Sequence, residues 1–364
     1  MNNPTDQPEL SPLLWVLPFT TEPVDDSQGV WGRQLSSLIA DALTESGMEA
    51  AWAPMIARTE HGPAWLQEEE PRSEAIVAEH LAGTPALRAV DGGIIVRKHA
   101  CRAALRVVSV PDRSIIAGPW MLEADSPFTL LDRILAELGP ALGLRQPAAP
   151  ALLRQTSHAG ALEAYLADRD QEALRSLTRP AGAAPEPGAA HRWRFLRRAA
   201  RLDPGFVHAQ GTYVRRAIEH ARSGAAEDAA EAMRTLEDAV GPSVDLDGAQ
   251  AEMWVVAKEW DRAEQSLRRG IERDDTWAYG PHRLGHLRLI AEDFTDAKQW
   301  LQRAHELDRD NPWTRTWLAV ALDELGEHEE ADGHWAAVLA MPAAPPRVVE
   351  LATTTRAVAH ARRS

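Results

Sequence analysis

Residues 291–313 read "AEDFTDAKQWLQRAHELDRDNPW", an apolar helix followed by Leu-Asp and then Asn-Pro. The apolar and small residues Phe294, Ala297 and Leu301 fall at three- and four-residue steps, which place them on one helix face. One such helix decides little, but the segment recurs. Ala229, Ala263, Ala297 and Ala331 are spaced by 34 residues, and a large apolar residue follows each by four: Met233, Leu267, Leu301 and Trp335. Three residues before the last three alanines stand Trp260, Phe294 and His328. Leu284 and Leu318 keep the interval, as do the small residues Ala217, Ala251, Gly285 and Ala319.

A period of 34 with these residue types resembles the tetratricopeptide repeat (TPR), whose pattern has a Leu-Gly pair, a turn, a small alanine and a closing proline. The match is clearest at "HRLGHLRLIAEDFTDAKQWLQRAHELDRDNP". It extends to "TWLAVALDELGEHEEADGHWAAVL", "AEMWVVAKEWDRAEQSLRRGI" and, more loosely, "GTYVRRAIEHARSGAAEDAAEAMRTL". Only Gly285 keeps the family's glycine, and His328 replaces an aromatic residue. The resemblance implies two antiparallel helices per repeat, with small residues letting the backbones approach and Trp300, Leu301 and Trp335 filling the neighbour's groove. One helix pair leaves apolar surface wet, so about three or more must stack.

Outward from the in-phase repeats, "ALEAYLADRDQEALRSL" and "RFLRRAARLDP" read as an irregular preceding pair. They are separated by "TRPAGAAPEPGAA", whose three prolines forbid a continuous helix. "MPAAPP" breaks the chain after the last repeat, and "RVVELATTTRAVAHARR" reads as the capping helix that a solenoid needs.

Before Gln146 the periodicity changes. "LLWVLPF" and "MEAAWAPM" read as strands, and "WGRQLSSLIADALTESG" and "RSEAIVAEHLA" as helices. "GGIIVRKH", "RAALRVVSV" and "RSIIAGPWML" then follow as an antiparallel meander, and Ser126-Pro127 opens the helix "FTLLDRILAELGPALGL". This order predicts an α/β sandwich of about five strands and three helices. The "VLPF" strand, "LIADAL" helix, "GGIIVR" strand, "RAALRVV" strand and final Trp120 also resemble the TolB-like amino-terminal module that accompanies tetratricopeptide repeats in bacterial regulators and class III adenylate cyclases. That resemblance covers roughly residues 11 to 145. The effector domain that such modules usually follow is not visible, so no signalling activity is carried over.

The fold class expected is therefore α+β with two domains. Residues 1–10 form a disordered tail and 11–146 the TolB-like α/β domain. Helical repeats occupy 147–346, with the period clearest in 210–341, and a capping helix occupies 347–364.

Composition limits the function. Apolar residues make up 45% of the 364, charged residues 26%, and the net charge is -15, which repels polyanions at long range and argues against nucleic acid as a partner. Residues 1–150 carry a balance of -9 and the remainder -6, so neither half is basic. The cluster "HRWRFLRRAARLD" reads as a solvated helix face beside a buried stripe. No apolar run reaches the roughly 18 residues of a spanning helix, and "MNNPTDQPELSP" lacks the basic start of a signal peptide. With the single Cys101 this points to a cytoplasmic protein without membrane attachment, and the TolB-like resemblance implies a bacterial one.

Catalytic patterns are scarce: no phosphate-cradling glycine loop, no G-x-S-x-G elbow, no H-E-x-x-H and no paired cysteines, so no enzyme activity, cofactor or metal is expected. His282 and His286 stand at i and i+4, but zinc would need a third ligand, from His305 or an acid. Cys101 reads as a small buried filler, and Glu68, Glu69 and Glu70 as a solvated loop.

What remains is surface. Counting Ala278 and Pro312 as first positions, the groove-facing residues of the last two repeats are Tyr279, His282, Arg283, His286, Trp313, Thr316 and Trp317. Aromatic and arginine side chains are common anchors of peptide recognition. The tryptophans could equally pack between repeats. A carboxylate clamp would need lysine and asparagine, and this set has neither. The expected function is a non-enzymatic adaptor holding a protein or peptide in the repeat groove, with self-association through the amino-terminal domain as a further option. The alternative is a regulatory protein whose amino-terminal domain binds a small ligand or nucleotide.

Overall fold

A computed structural model describes residues 13–21, 26–60, 62–66, 68, 71–97, 100–144, 155–178 and 193–363. The expected tail 1–10, most of the proline-rich stretch after Thr178, and Glu69 and Glu70 lie outside the described residues. Two compact units emerge: residues 1–184 with 192–213, and residues 214–364 with 185–191.

The first unit is built on a mixed sheet of six strands. Strand β1 (Leu13–Val16) lies between β3 (Ala50–Trp52) and β6 (Ala86–Arg97) and runs parallel to both. β7 (Ala100–Ser109) and β8 (Ser114–Ala124) extend it as an antiparallel meander, and the short β2 (Thr20–Thr21) pairs with β6. Two parallel neighbours for β1 require crossovers, and α1 (Asp26–Glu45) supplies the first, burying Leu35, Leu38, Ile39 and Leu43. Helix α2 (Glu74–His80) starts where Ser73 accepts the Ile76 amide, and packs Val77 into a cluster with Leu81, Leu17, Ala89 and Val108. Ser126 likewise accepts the Thr129 amide to open α3 (Pro127–Ala141), with Pro127 in its first turn. Leu130, Leu131, Ile134, Leu135 and Leu138 line its buried side.

The α/β expectation and the three-strand meander hold. The expectation of about five strands omitted β2 and a separate antiparallel hairpin of β4 (Ile56–Thr59) and β5 (Gly62–Trp65). Both are too short for an alternating pattern to show in the sequence.

Two sets of buried charges hold this unit. Arg72 donates to Asp91 at 2.7 Å and to the Pro18 carbonyl at 2.9 Å, and also bonds Glu68. Arg106, opposite Asp91 across the β6–β7 ladder, reaches the same carboxylate at 3.1 Å and Glu74 at 2.6 Å. Farther along, α4 (Ala159–Thr178) brings Asp170 to Arg33 of α1 in a two-point pair at 2.8 and 2.9 Å, joined by Gln34 at 3.1 Å. Helix α5 (Arg194–Leu202) packs on α4 through buried Leu196, Ala199 and Ala200.

The second unit is a helical solenoid. The boundary between units falls inside α6 (Val207–Arg222), which is followed by α7 (Ala226–Val240), α8 (Val244–Val256) and α9 (Trp260–Arg273). Then come α10 (Tyr279–Ile290), α11 (Phe294–Leu307), α12 (Pro312–Glu324), α13 (His328–Leu339) and α14 (Pro346–Arg363). The 34-residue period is a packing period: Ala229, Ala263, Ala297 and Ala331 are each 0% exposed, at one position of successive second helices. Met233, Leu267, Leu301 and Trp335 lie buried one turn on. Gly285 is the only glycine at its repeat position because a Cβ there would meet Leu301 Cγ at 2.4 Å. The last pair and α14 share one core, in which Trp335 and Leu322 pack with Val348 and Ala352.

Trp277, in the turn before α10, has a seat of its own. A Cβ on Gly270 of α9 or Gly280 of α10 would come within 2.5 or 2.6 Å of its indole, and one on Gly248 of α8 within 3.1 Å. Three helices thus spare a side chain to seat one large, half-buried ring.

Candidate partner-binding site

The expected residues lie on first helices α10 and α12. Asn311 fixes the start of α12, its side chain accepting the amides of Trp313 at 3.0 Å and Thr314 at 3.2 Å, with Pro312 in the first turn. On α10, Tyr279, His282, Arg283 and His286 follow at helical spacing on one face, and exposed Ile290 continues it. Trp313, Trp317 and half-buried Val320 do the same on α12, each resting partly on the core beneath.

Six of the seven expected residues are brought together. The rings of Trp313 and Trp317 stack, 6.4 Å apart and 25° from parallel, and the His286 ring lies 4.8 Å from Trp317. His282 Nδ1 and Thr314 Oγ1 share a hydrogen bond at 3.0 Å. Tyr279, 40% exposed, has its ring 6.5 Å from that of His282. Thr316 is different: it is 0% exposed and donates to the Pro312 carbonyl at 2.8 Å, so it faces the core. A hydroxyl satisfied by its own helix can be buried, which the count from Pro312 does not reveal.

The residue that sequence reasoning missed is Glu252 of α8. It takes Arg283 Nε at 2.5 Å and Nη2 at 2.8 Å on its two oxygens, and the Tyr279 hydroxyl at 2.5 Å. Arg283 Nη1 also donates to His286 Nδ1 at 3.0 Å; a guanidinium only donates, so this nitrogen is unprotonated. Burial, then the Arg283 charge and the neighbouring His286, push the His282 imidazole down to about 4. Burial and Arg283 lower His286 as well, and burial with the Glu252 bond raises the Tyr279 phenol. The face is a stripe over three consecutive first helices whose formal charges are closed on one another.

The histidines do not gather as ligands. His282 is bonded to Thr314, and His305 of α11 meets His334 of α13 instead, ring centroids 5.4 Å apart. Among the described residues no group of three His, Cys, Asp or Glu side chains could hold a metal ion. Cys101 is buried, and burial raises its thiol. A second feature is a cleft of about 360 Å³ between α7, α8 and α9, lined by Glu227, Glu237, Gln250, Trp254, Arg262 and Arg269. Its charges are also paired internally, Arg262 with Glu227 and Arg269 with Asp247, both at 2.5 Å.

Residues 288–348 match the family model of the tetratricopeptide repeat. No curated protein matches it. Among solved structures it is similar to YrrB, described as a TPR protein with an unusual peptide-binding site, at 14% identity over 57% of this chain and 99% of that one, TM-score 0.36. It is also similar to MamA of Desulfovibrio magneticus RS-1, at 14% identity over 48% and 93%, TM-score 0.32, and to a further MamA structure, at 16% over 40% and 81%, TM-score 0.30. No described helix is long and apolar enough to cross a membrane.

Proposed function

We propose that this protein is a non-enzymatic adaptor of the bacterial cytosol that holds a protein or peptide partner against the stripe of Tyr279, His282, Arg283, His286, Trp313 and Trp317. The observation that carries this reading is the row of aromatic rings on α10 and α12, of which Trp313 and Trp317 rest on the core and stay partly open. Such rigid side chains bury area on binding at small entropic cost. A photo-crosslinking residue at Trp317 captures a partner under this proposal, whereas the same residue at exposed Gln299 on α11 does not. Equal capture from both positions, or from Gln299 alone, contradicts it.

The alternative, a ligand or nucleotide site in a TolB-like amino-terminal unit, gains no support from the ends of the parallel strands. Ligands of open α/β sheets settle there. In this unit Arg72 lies there, bonded to Pro18 just beyond β1, to Asp91 of β6 and to Met55 Sδ at 3.7 Å beyond β3.

A further inference from the structure

The stripe restricts the chemistry of whatever binds it. Arg283 has both carboxylate oxygens of Glu252, and Tyr279 shares the same acid, so neither offers a free charge or hydroxyl proton to a partner's carboxylate. His282 is bonded to Thr314, and burial keeps both imidazoles neutral. A partner bringing a carboxylate or an ammonium group to this face would lose hydration and meet no unpaired opposite charge.

Two things are left for a partner to use. One is apolar surface: Tyr279 and Ile290 at 40% and 53% exposure, and the open edges of Trp313, Trp317 and Val320. The other is a pair of donors. The indole N–H groups of Trp313 and Trp317 have no partner among the described residues and are not enclosed. Exposed indole edges beside free indole donors suit a chain that presents carbonyl oxygens and compact apolar rings but few N–H groups. An extended proline-rich segment has this chemistry, and its polyproline II form is already ordered before binding.

We propose that the stripe on α8, α10 and α12 binds an uncharged, proline-rich segment of another protein in the polyproline II conformation. The inference rests on the partner-binding reading of this face and adds the class of partner. Prolines pack against the open edges of Trp313 and Trp317, carbonyls accept from the two indoles, and aliphatic side chains meet Ile290 and Val320.

The test uses the full chain and four capped peptides of about ten residues, roughly 31 Å long as polyproline II. One alternates proline with leucine or alanine; two carry glutamate or lysine in place of the leucines; one is an amphipathic helix. Calorimetry should show the neutral proline peptide binding at least about tenfold tighter than the others. Trp317→Phe keeps the ring on the core and removes one indole donor, and should weaken that peptide about fivefold or more, in line with a lost hydrogen bond. Tighter binding of a charged or helical peptide, if sensitive to Trp317→Phe, overturns the proline proposal and leaves the partner-binding face intact. Binding of any peptide with no response to Trp317→Phe or Trp313→Ala overturns both. Binding of none overturns the proline proposal, while crosslinking at Trp317 still decides the broader one.

Discussion

Glu252 and Arg283 meet in a two-point pair, 2.5 and 2.8 Å, that spans successive first helices of the solenoid. The pair does two jobs: it ties α8 to α10 and it cancels the one guanidinium of the stripe. Replacing Glu252 with alanine leaves Arg283 partly buried without its carboxylate, and removes the acceptor of Tyr279. The expected loss is about 1–3 kcal/mol in urea denaturation. In the double variant with Arg283→Ala the two losses should not add, giving a coupling energy of about 0.5–3 kcal/mol. Additive losses would mean that the pair is a surface contact of no consequence.

The glycines around Trp277 predict opposite signs for one kind of substitution. Gly270→Ala places a methyl group 2.5 Å from a ring held on three sides, and overpacking of this sort costs about 1–3 kcal/mol. Gly333, inside α13, has nothing within 4 Å of its ideal Cβ, so Gly333→Ala gains about 0.5–1 kcal/mol from helix propensity alone. Melting temperatures of the two variants should move in opposite directions. A rise for both would show that Trp277 is loosely held.

The repeat was legible in the sequence because its cause is local and periodic. Ala297 and Leu301 lie one turn apart on one helix, and the same packing returns every 34 residues, so spacing alone displays it. Contacts between distant positions leave no such trace. Nothing near Arg283 in the sequence announces Glu252, which stands 31 residues before it, and the seat of Trp277 is divided among Gly248, Gly270 and Gly280. Thr316 escapes the count from Pro312 for another reason: its hydroxyl finds the Pro312 carbonyl and no longer needs solvent. In the amino-terminal unit the long strands and helices were visible. β2 and the β4–β5 hairpin, of two and four residues, were below what alternation can reveal.

Among the described residues Asp91 is the only carboxylate that bonds both Arg72 and Arg106, and its side chain is almost fully enclosed. Asp91→Ala would take the shared carboxylate from Arg72 and Arg106, leaving them only the more exposed Glu68 and Glu74, and should cost about 3 kcal/mol. The pair Arg102–Glu123, on neighbouring strands of the same sheet, is exposed, and Glu123→Ala should cost no more than about 1 kcal/mol. Chemical denaturation of both variants measures the contrast, and similar losses would refute the reading of a buried network.

Where the amino-terminal unit ends as a folding unit is a prediction of the same kind. A boundary near Gln146 separates Arg33 from Asp170, although both side chains are under one-tenth exposed and bonded at two points. We therefore expect a fragment of residues 1–146 to be less stable than one of residues 1–222 by about 3–5 kcal/mol, the cost of stranding one partner of a buried pair. Asp170→Asn in the full chain should reproduce part of that loss. Equal stability of the two fragments would place the boundary at Gln146.

His282 makes the stripe sensitive to acid in a defined window. Burial, Arg283 and His286 hold its imidazole at about 4, against the ordinary 6.5, while Glu252 and Asp308 pull in the opposite direction. Above pH 6.5 the group is neutral whether the chain is folded or not, and it adds no pH dependence. Between pH 6.5 and 4 the unfolded chain takes up a proton that the folded chain refuses. Stability therefore falls as the pH falls, by up to about 1.4 kcal/mol per pH unit, and levels off below pH 4. His286, His305 and His334 are lowered by burial as well and act in the same sense. His282→Asn can keep a bond to Thr314 without the titrating ring, so its melting temperature should drop less between pH 7 and pH 5 than that of the unaltered protein. Proton NMR of the His282 ring should find its midpoint close to 4; a midpoint at 6.5 would show that the ring is solvated and that Arg283 is not beside it.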